Sequence, residues 1–318
     1  MSSALYTSSA TIDNAHEDDI WHTHWVPGKH QLVSAGSDEI TKLWNAQSCE
    51  CETTLKASDY AITSLDVDAS GSQLLTSSMD HKIRVWQLEA NSKSSPSLTI
   101  DAGAINAWKS RFVPQSSSDD NKPLIVSSTD RGTVKLWSAK SGRAVSELNT
   151  SRPKFLYALA ASPDGTKIAC AGVGGQVYLF DIETGSLSCT FSGHSDNVRS
   201  VSFSADSSLL VSASDDKQVQ LHDARFGSPA ATFMGHYGWV LSAEMHPNGT
   251  YIASGSVDTK VKIWDVAQRT CVETHSQHEQ AVWNVSWQKS SDDVTVSRPM
   301  LASAGEDRSI TFYDPLLA

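Results

Sequence analysis

The sequence is poor in charged residues and lacks long apolar runs. Charged residues make up 19% of its 318 residues, below the roughly 25% of an average soluble domain, and small polar residues take their place. No apolar run reaches the roughly 18 residues that a membrane-spanning helix requires. The N-terminal segment is neither basic nor apolar, so we expect no signal peptide. This composition favours short strands joined by turns over long helices.

Basic residues and cysteines are also scarce. The 25 Lys and Arg residues are outnumbered by 36 Asp and Glu, which gives a net charge of −11. This balance disfavours direct binding to nucleic acid or to an anionic membrane, because both require a basic face. The 5 cysteines lack the spacing of metal ligands and indicate a reducing compartment. We therefore expect an intracellular protein whose partners are proteins.

One sequence pattern recurs along the chain. It begins with small residues, often followed by an acid, continues with apolar residues that alternate with polar ones, and ends in an aromatic residue or His. One copy reads SGSVDTKVKIW and ends at Trp264. Alternation with a period of two indicates strands, and turns roughly every 8–12 residues indicate antiparallel sheets. The seven copies end at residues 44, 86, 137, 180, 222, 264 and 313.

Four short strands in a repeat of about 40–45 residues are typical of a β-propeller blade. We therefore predict an all-β fold, a single seven-bladed β-propeller that spans residues 1–318 as one domain, with third strands ending near those seven positions. Two intervals are longer because polar residues 116–121 and 290–293 are inserted. We expect these insertions to be mobile surface loops, since the repeat resumes in phase after them.

The N-terminal segment has a predicted role in closing the ring. The last copy supplies three strands of blade seven, and an open ring would leave two unpaired sheet edges. Residues 5–13 precede the first copy and alternate apolar with small polar residues, as in Leu5, Tyr6 and Ile12. We predict that they form the outer strand of blade seven.

Several copies also share polar residues at fixed intervals, and these carry a resemblance to the WD-repeat family. In that family a His before the first strand, a hydroxyl in the second, an Asp in the turn and a Trp in the third form a hydrogen-bonded set. The resemblance implies this structural role for His16, Ser34, Asp38 and Trp44; for His194, Ser212 and Asp216; for His236, Ser254, Asp258 and Trp264; and for His278, Ser303 and Asp307.

Blades three and four depart from this pattern, with Arg131 and Gly174 at the turn and Cys170 at the hydroxyl position. A Ser/His/Asp set could be catalytic, but a nucleophile and its base should occur once, in a cleft. Repetition indicates structure, so we predict no enzyme and no catalytic residue. His22 and His24 could bind a metal along one strand face, yet no third ligand is near. We therefore predict no metal and no cofactor.

A propeller exposes the start of each innermost strand at the mouth of its central channel, on what we call the top face. Aromatic residues with acids nearby suit a peptide segment that carries Arg and an aromatic residue, because Arg stacks on indole and pairs with carboxylate. Aligning the copies predicts that partner-binding residues on this face include Asp19, Trp21, Asn106, Trp108, Asp130, Phe155, Tyr157, Arg199, Asp215, Trp239, Trp283 and Glu306.

Within the WD-repeat family, residues 14–21, 100–108, 209–216, 238–241 and 261–272 resemble the WD-repeat subunits of superkiller complexes. This resemblance implies a non-enzymatic subunit that docks a tetratricopeptide-repeat scaffold, alongside a helicase, in exosome-mediated 3′-to-5′ mRNA decay. It also implies second roles in the polymerase-II-associated Paf complex and in meiotic recombination, where a Gln-Arg-x-x-aromatic segment is bound. The expected localisation is cytoplasm and nucleus. The alternative is a substrate receptor of a cullin-RING ubiquitin ligase, for which the sequence offers only a near match at residues 222–225.

Overall fold

Twenty-eight β-strands make up the regular structure of the residues that the computed structural model describes, which are 5–88, 95–104, 106–114, 123–289 and 298–316. The predicted insertions at 116–121 and 290–293 lie outside these described residues. Within the described ranges there is no helix long and apolar enough to cross a bilayer.

The strands follow one another at short intervals. Strand β1 (Tyr6–Ile12) comes first. Blades one to three contain β2 (Ile20–Trp25), β3 (Gln31–Gly36), β4 (Ile40–Asn45), β5 (Cys51–Lys56), β6 (Ile62–Val67), β7 (Gln73–Ser78), β8 (Lys82–Gln87), β9 (Leu98–Asp101), β10 (Ser110–Val113), β11 (Leu124–Ser128), β12 (Thr133–Ser138) and β13 (Ala144–Asn149). Blades four to seven contain β14 (Leu156–Ala161), β15 (Lys167–Gly172), β16 (Gln176–Asp181), β17 (Leu187–Ser192), β18 (Val198–Phe203), β19 (Leu209–Ser214), β20 (Gln218–Asp223), β21 (Ser228–Met234), β22 (Val240–Met245), β23 (Tyr251–Ser256), β24 (Val261–Asp265), β25 (Thr270–His275), β26 (Val282–Trp287), β27 (Leu301–Gly305) and β28 (Ile310–Pro315).

These strands form seven four-stranded antiparallel sheets. Six sheets take their strands consecutively from the chain, and the seventh has the order β1-β28-β27-β26. The innermost strand of each sheet packs against the innermost strands on both sides, in the cyclic order β2, β6, β10, β14, β18, β22, β26 and back to β2. The predicted all-β, seven-bladed propeller is therefore confirmed.

Ring closure is achieved by β1, as the sequence predicted. Tyr6 pairs with Pro315 and Ile12 pairs with Ile310, so β1 forms the outer strand of blade seven. The same segment also reaches blade six, because the carboxylate of Glu273 accepts hydrogen bonds from the backbone N–H groups of Leu5 and Tyr6. Closure thus joins one strand to two blades.

The hydrophobic core lies mainly between blades. In one cluster Val33, Ala35 and Leu43 of blade one pack against Ile62 and Trp86 of blade two. Each strand presents alternate residues to each face of its sheet, and both faces of a blade contact neighbouring blades. Because the faces of the blades are buried against each other, the top face is formed by the ends of the strands and the loops there, including the start of each innermost strand.

Candidate protein-binding face

A repeated β-bulge determines which residues line the channel mouth. In β2, Ile20 pairs with Gly36 and His22 pairs with Ala35, so Trp21 between them has no partner in the ladder. A bulge leaves its extra residue unpaired and re-aims the side chain. The same irregularity occurs in six blades, and the extra residues are Trp21, Thr63, Tyr157, Arg199, Leu241 and Trp283.

All six bulge residues line one cavity of about 240 Å³ in the channel. Blade three has a shorter innermost strand, and Trp108, just before β10, lines the same cavity. Close backbone approach supports this geometry at Gly172, where a Cβ would lie 1.9 Å from the carbonyl oxygen of Phe155. The channel mouth is therefore built by equivalent positions of all seven blades.

Five of the predicted top-face residues form a continuous array across blades three to six. The ring of Phe155 lies 5.2 Å from that of Trp108 and 4.8 Å from that of Tyr157, centroid to centroid. The guanidinium carbon of Arg199 then lies 4.6 Å from the Tyr157 centroid and 5.7 Å from that of Trp239. Trp239 at the end of the array is 49% exposed. The array is therefore a preorganised surface of rings and one cation, of the kind that dominates protein interfaces.

Asp215 differs from its expected state as an exposed acid. Its side chain is buried, and its carboxylate accepts hydrogen bonds from Nε of Arg199 at 2.8 Å and from Nη2 at 2.7 Å. The hydrogen bonds to Asp215 and the burial of the guanidinium act on Arg199 in opposite directions, and the net effect raises the pKa of Arg199. The protein's own arginine thus takes the place that the sequence interpretation assigned to a partner's arginine.

A second group of predicted residues lies where blades seven and one meet. The rings of Trp21 and Trp283 are 6.4 Å apart, and Glu306 is exposed at the adjacent turn. Partial burial, and then the charges of Asp18 and Glu306, raise the pKa of Asp19. This side of the mouth keeps the acidic and aromatic character that the sequence predicted.

The two remaining predicted residues are less available than the others. Nδ2 of Asn106 donates to the carbonyl oxygen of Ala102 at 2.9 Å, and its backbone carbonyl accepts a hydrogen bond from Ser127. Asp130 is half-buried and lies 3.9 Å from Nε of Arg131. The side-chain amide and the backbone carbonyl of Asn106 therefore both take part in hydrogen bonds that hold blade three together.

Sequence reasoning missed Tyr237 and Lys109. Tyr237 is 87% exposed beside Trp239, and its backbone N–H donates to Asp258 at 2.9 Å. Its position directly after His236 was the available signal. His236 lies at the repeated 22-residue interval from its turn Asp, and the residue after it begins the top-face loop. Lys109 follows Trp108 and lines the channel cavity. No single-sequence signal distinguishes it from a solvated lysine.

The repeated polar sets are hydrogen-bonded chains in blades one, five, six and seven. In blade six, Nδ1 of His236 lies 2.8 Å from Asp258, Nε2 lies 2.8 Å from the Ser254 hydroxyl, and the Trp264 indole donates to that hydroxyl at 2.8 Å. The corresponding chains join His16 to Asp38 and Ser34, with Trp44; His194 to Asp216 and Ser212, with His222; and His278 to Asp307 and Ser303, with Tyr313.

These chains also fix the loops that carry the top-face residues. Each turn Asp accepts a further hydrogen bond from the backbone N–H of the residue after the His, for example Glu279 to Asp307 at 3.0 Å. Burial tends to raise the pKa of Asp307, but hydrogen bonds from His278 and Ser309 and the charge of His278 outweigh it and lower that pKa to about 2. An ionised carboxylate is a strong acceptor, so the loop is held firmly.

Blades two and three use shorter versions of the same plan, and blade four lacks it. The Trp86 indole donates to Thr76 at 3.0 Å, and the Trp137 indole donates to Ser127 at 2.9 Å. In blade four Cys170 is fully buried, and burial raises the pKa of its thiol. It packs with Ile168 and Phe180 in a cluster shared with blade three. Packing therefore replaces the hydrogen-bonded chain there.

His22 and His24 are both engaged within the channel. Nε2 of His24 lies 3.3 Å from Asp66, and Nε2 of His22 lies 2.7 Å from Nζ of Lys109. Burial, then nearby cations, lowers the pKa of both rings. No group of three or more His, Cys, Asp or Glu residues suited to a metal ion occurs among the described residues.

The fold is a seven-bladed propeller with a candidate protein-binding face at one end of its channel. Five segments match the family described as "WD domain, G-beta repeat", at residues 7–45, 49–87, 185–223, 227–265 and 269–314. The chain therefore belongs to the WD-repeat family. It is a scaffold or adaptor type of protein, and its fold is typically non-catalytic. The long unmatched stretch, residues 88–184, holds blade three and most of blade four, whose polar sets are incomplete.

Relatives are found in plants, a parasitic flatworm and a yeast. The chain is 32% identical over 210 residues to the WD repeat-containing protein VIP3 of Arabidopsis thaliana, a match that covers 61% of this chain and 63% of that protein. It is 29% identical over 208 residues to the WD repeat-containing protein SL1-17 of Schistosoma mansoni, covering 64% and 65%. The matches thus span less than two thirds of these two relatives. The meiotic recombination protein rec14 of Schizosaccharomyces pombe is 35% identical over 315 residues, covering 97% of each chain.

Proposed function

We propose that this chain is a non-catalytic adaptor subunit of the superkiller complex. It docks the tetratricopeptide-repeat scaffold subunit through its top face and, with the helicase of that complex, supports exosome-mediated 3′-to-5′ mRNA decay in the cytoplasm. The observation that supports the docking role is the array of side chains from Trp108 to Trp239 at the channel mouth. The superkiller assignment is supported by the resemblance over residues 14–21 and 261–272.

The mouth suits a segment that carries an arginine and an aromatic residue. The rings of Trp21 and Trp283, with Asp19 and Glu306 beside them, offer stacking surfaces and negative charge to a partner's arginine. The exposed rings of Trp239 and Tyr237 across the channel offer a surface to an aromatic side chain. Such a two-point contact would set the direction of the bound segment.

A second role in meiotic recombination is favoured by the similarity to rec14, which covers nearly the whole of both chains. A further role in the polymerase-II-associated Paf complex follows from the same family resemblance and would place part of the protein in the nucleus. Both roles use one adaptor surface with different partners. None of them requires a catalytic residue or a cofactor.

Affinity purification of the tagged protein from native extract tests this proposal. The wild-type chain should recover a helicase and a tetratricopeptide-repeat scaffold. Trp108→Ala and Trp239→Ala should each weaken scaffold binding by about 2 kcal/mol or more, because aromatic anchors carry much of an interface's affinity. Their melting temperatures should remain close to that of the wild type.

Phe226→Ala is the matched control, since Phe226 is a 79% exposed aromatic residue in the turn after β20, away from the channel. It should retain the partner. Recovery of a cullin adaptor in place of the scaffold would favour the ubiquitin-ligase alternative, for which Asp223 and Arg225 are the candidate residues. A large loss of stability in the Trp variants would instead show that those rings are core.

A further inference from the structure

The channel cavity beneath the aromatic mouth is cationic in an acidic protein. Its lining includes Lys109, Arg111 and Arg199, and no Asp or Glu among the described residues lines it. The chain as a whole has a net charge of −11. Three basic side chains therefore face the place where the seven blades converge.

The three cations differ in how they are compensated. Arg199 is paired with Asp215 at 2.7 Å. Arg111 donates from Nη1 to the carbonyl oxygens of Leu65 and Ser110, and its charge partly opposes the burial that raises the pKa of Asp66. Both arginines thus have acceptors or a carboxylate nearby.

Lys109 has no such counterion. Its Nζ contacts the ring nitrogens of His22 at 2.7 and 3.3 Å, and no carboxylate lies within 4 Å of it in the part of the chain that the structure describes. Burial, then Arg111, lowers the pKa of Lys109, and the same surroundings keep His22 neutral. A half-buried ammonium without a carboxylate is costly to keep charged, and a bound anion would lower that cost.

The site also has a surplus of hydrogen-bond donors. The ammonium group of Lys109 has three N–H bonds, and the buried Trp283 indole N–H has no hydrogen-bond partner among the residues that the structure describes. Both residues line the same cavity. Such a set is complementary to an acceptor that carries negative charge, such as a carboxylate.

We propose that the channel mouth holds the carboxylate of an Asp or Glu side chain from a docked partner, with Lys109 as its ion-pair partner. The cavity of about 240 Å³ is smaller than the roughly 300–1,000 Å³ of small-molecule pockets, so an inserted side chain fits it better than a cofactor does. This inference rests on the proposed docking face and specifies the chemistry of the segment bound there. It adds an acid to the arginine and aromatic residue already proposed.

A titration of the wild-type protein tests the inference without any variant. The probes are N-acetyl-glutamate methylamide and its neutral match, N-acetyl-glutamine methylamide. Binding is monitored through the ¹H–¹⁵N resonance of the Trp283 indole. The acid should shift that resonance saturably and the amide should not. Equal shifts from both probes, no shift from either, or the same shift from inorganic phosphate (an adventitious anion site) would each overturn the carboxylate assignment.

Lys109→Met then tests the role of the ammonium group. It should weaken binding of the acid probe by at least about tenfold, equivalent to about 1.4 kcal/mol. Lys29→Met is the control, because Lys29 is exposed on the opposite end of the ring in the turn after β2, and it should bind the probe as the wild type does. Unchanged binding in Lys109→Met would contradict the proposal.

Affinity purification separates failure of this inference from failure of the docking face. If Trp239→Ala loses the partner while Lys109→Met retains it fully, the docking face stands and the carboxylate contact is wrong. If Trp239→Ala and Trp108→Ala both retain the partner, the docking face itself is wrong, whatever the titration shows.

Discussion

In each hydrogen-bonded chain of this propeller, the turn aspartate accepts several of the hydrogen bonds. In blade seven the Asp307 carboxylate accepts hydrogen bonds from His278, Ser309 and the backbone of Glu279. Hydrogen bonds to an ionised group are worth roughly twice those between neutral groups. The aspartate therefore links the top-face loop, the second strand and the turn of its blade.

The pH dependence of folding should report this link at Asp307. Its folded pKa of about 2 lies below the roughly 3.9 expected in an unfolded chain, so its stabilising effect is complete above about pH 4. That effect is lost as the pH falls towards 2. Asp307→Asn should cost about 1–3 kcal/mol at neutral pH, and the difference from the wild type should shrink between about pH 4 and pH 2. Denaturant unfolding at several pH values measures it.

Ile310→Val provides the control for that measurement. Ile310 is fully buried in the same blade, and the substitution removes a methylene group at a cost of about 0.5–1.5 kcal/mol without changing a titrating group. Its difference from the wild type should stay constant over the acid range. A constant difference for Asp307→Asn as well would show that this carboxylate is not selectively stabilised in the folded chain.

Single residues also show where sequence reasoning stops. The intervals of 22 residues from His16 to Asp38 and from His236 to Asp258 could be predicted because they lie within one repeat. The pairing of Arg199 with Asp215 depends on the conformations of two side chains at the tip of one blade. The lack of a carboxylate near Lys109 depends on which residues the strands of several blades place around it. Alternation within a strand carries no information about such convergence.

At the scale of elements, the bulge in the innermost strands creates the proposed binding face. It occurs between equivalent residues in six blades and leaves one side chain per blade unpaired at the mouth. The strands themselves were predictable, since each predicted third-strand end lies within the observed strand, as Trp44 lies in β4. The bulges were not, because a two-residue period in the sequence does not reveal an extra residue in one strand.

Strand β1 is the element on which ring closure depends. Tyr6 is buried, its ring packs 5.1 Å from that of Trp287, and its hydroxyl lies 3.2 Å from Nε2 of His246 in blade six. Tyr6→Ala should therefore lower stability by about 3–5 kcal/mol, and Tyr6→Phe, which keeps the ring, by about 1 kcal/mol. Thermal and denaturant unfolding of the two variants give the comparison.

Deletion of residues 1–12 extends that prediction to the whole strand. It should expose the edge of β28, open the ring and cause self-association that grows with concentration, because a bare sheet edge pairs with other chains. Size-exclusion chromatography with light scattering detects this. A truncated chain that stays monomeric and melts at the wild-type temperature would show that the other three strands of blade seven suffice for closure.

At the scale of the whole molecule, the ring separates two kinds of surface. The chain has a net charge of −11, whereas the channel cavity is lined by Lys109, Arg111 and Arg199 and by no Asp or Glu among the described residues. Blades three and four, which lack complete polar sets, contribute Trp108, Phe155 and Tyr157 to the mouth. The irregular blades therefore supply three of the five residues of the array.

This charge distribution predicts that the protein does not hold RNA by itself. Binding to a phosphate backbone requires several accessible Lys or Arg residues on one face, and it weakens steeply as salt rises. In the channel, Arg199 is already paired with Asp215, and the cavity of about 240 Å³ admits a side chain rather than a strand. Fluorescence anisotropy with a labelled single-stranded RNA at about 150 mM salt should therefore show no binding, with a polylysine peptide as the positive control. Binding that weakens with salt would contradict the adaptor role, and its loss in Lys109→Met would locate the RNA at the channel.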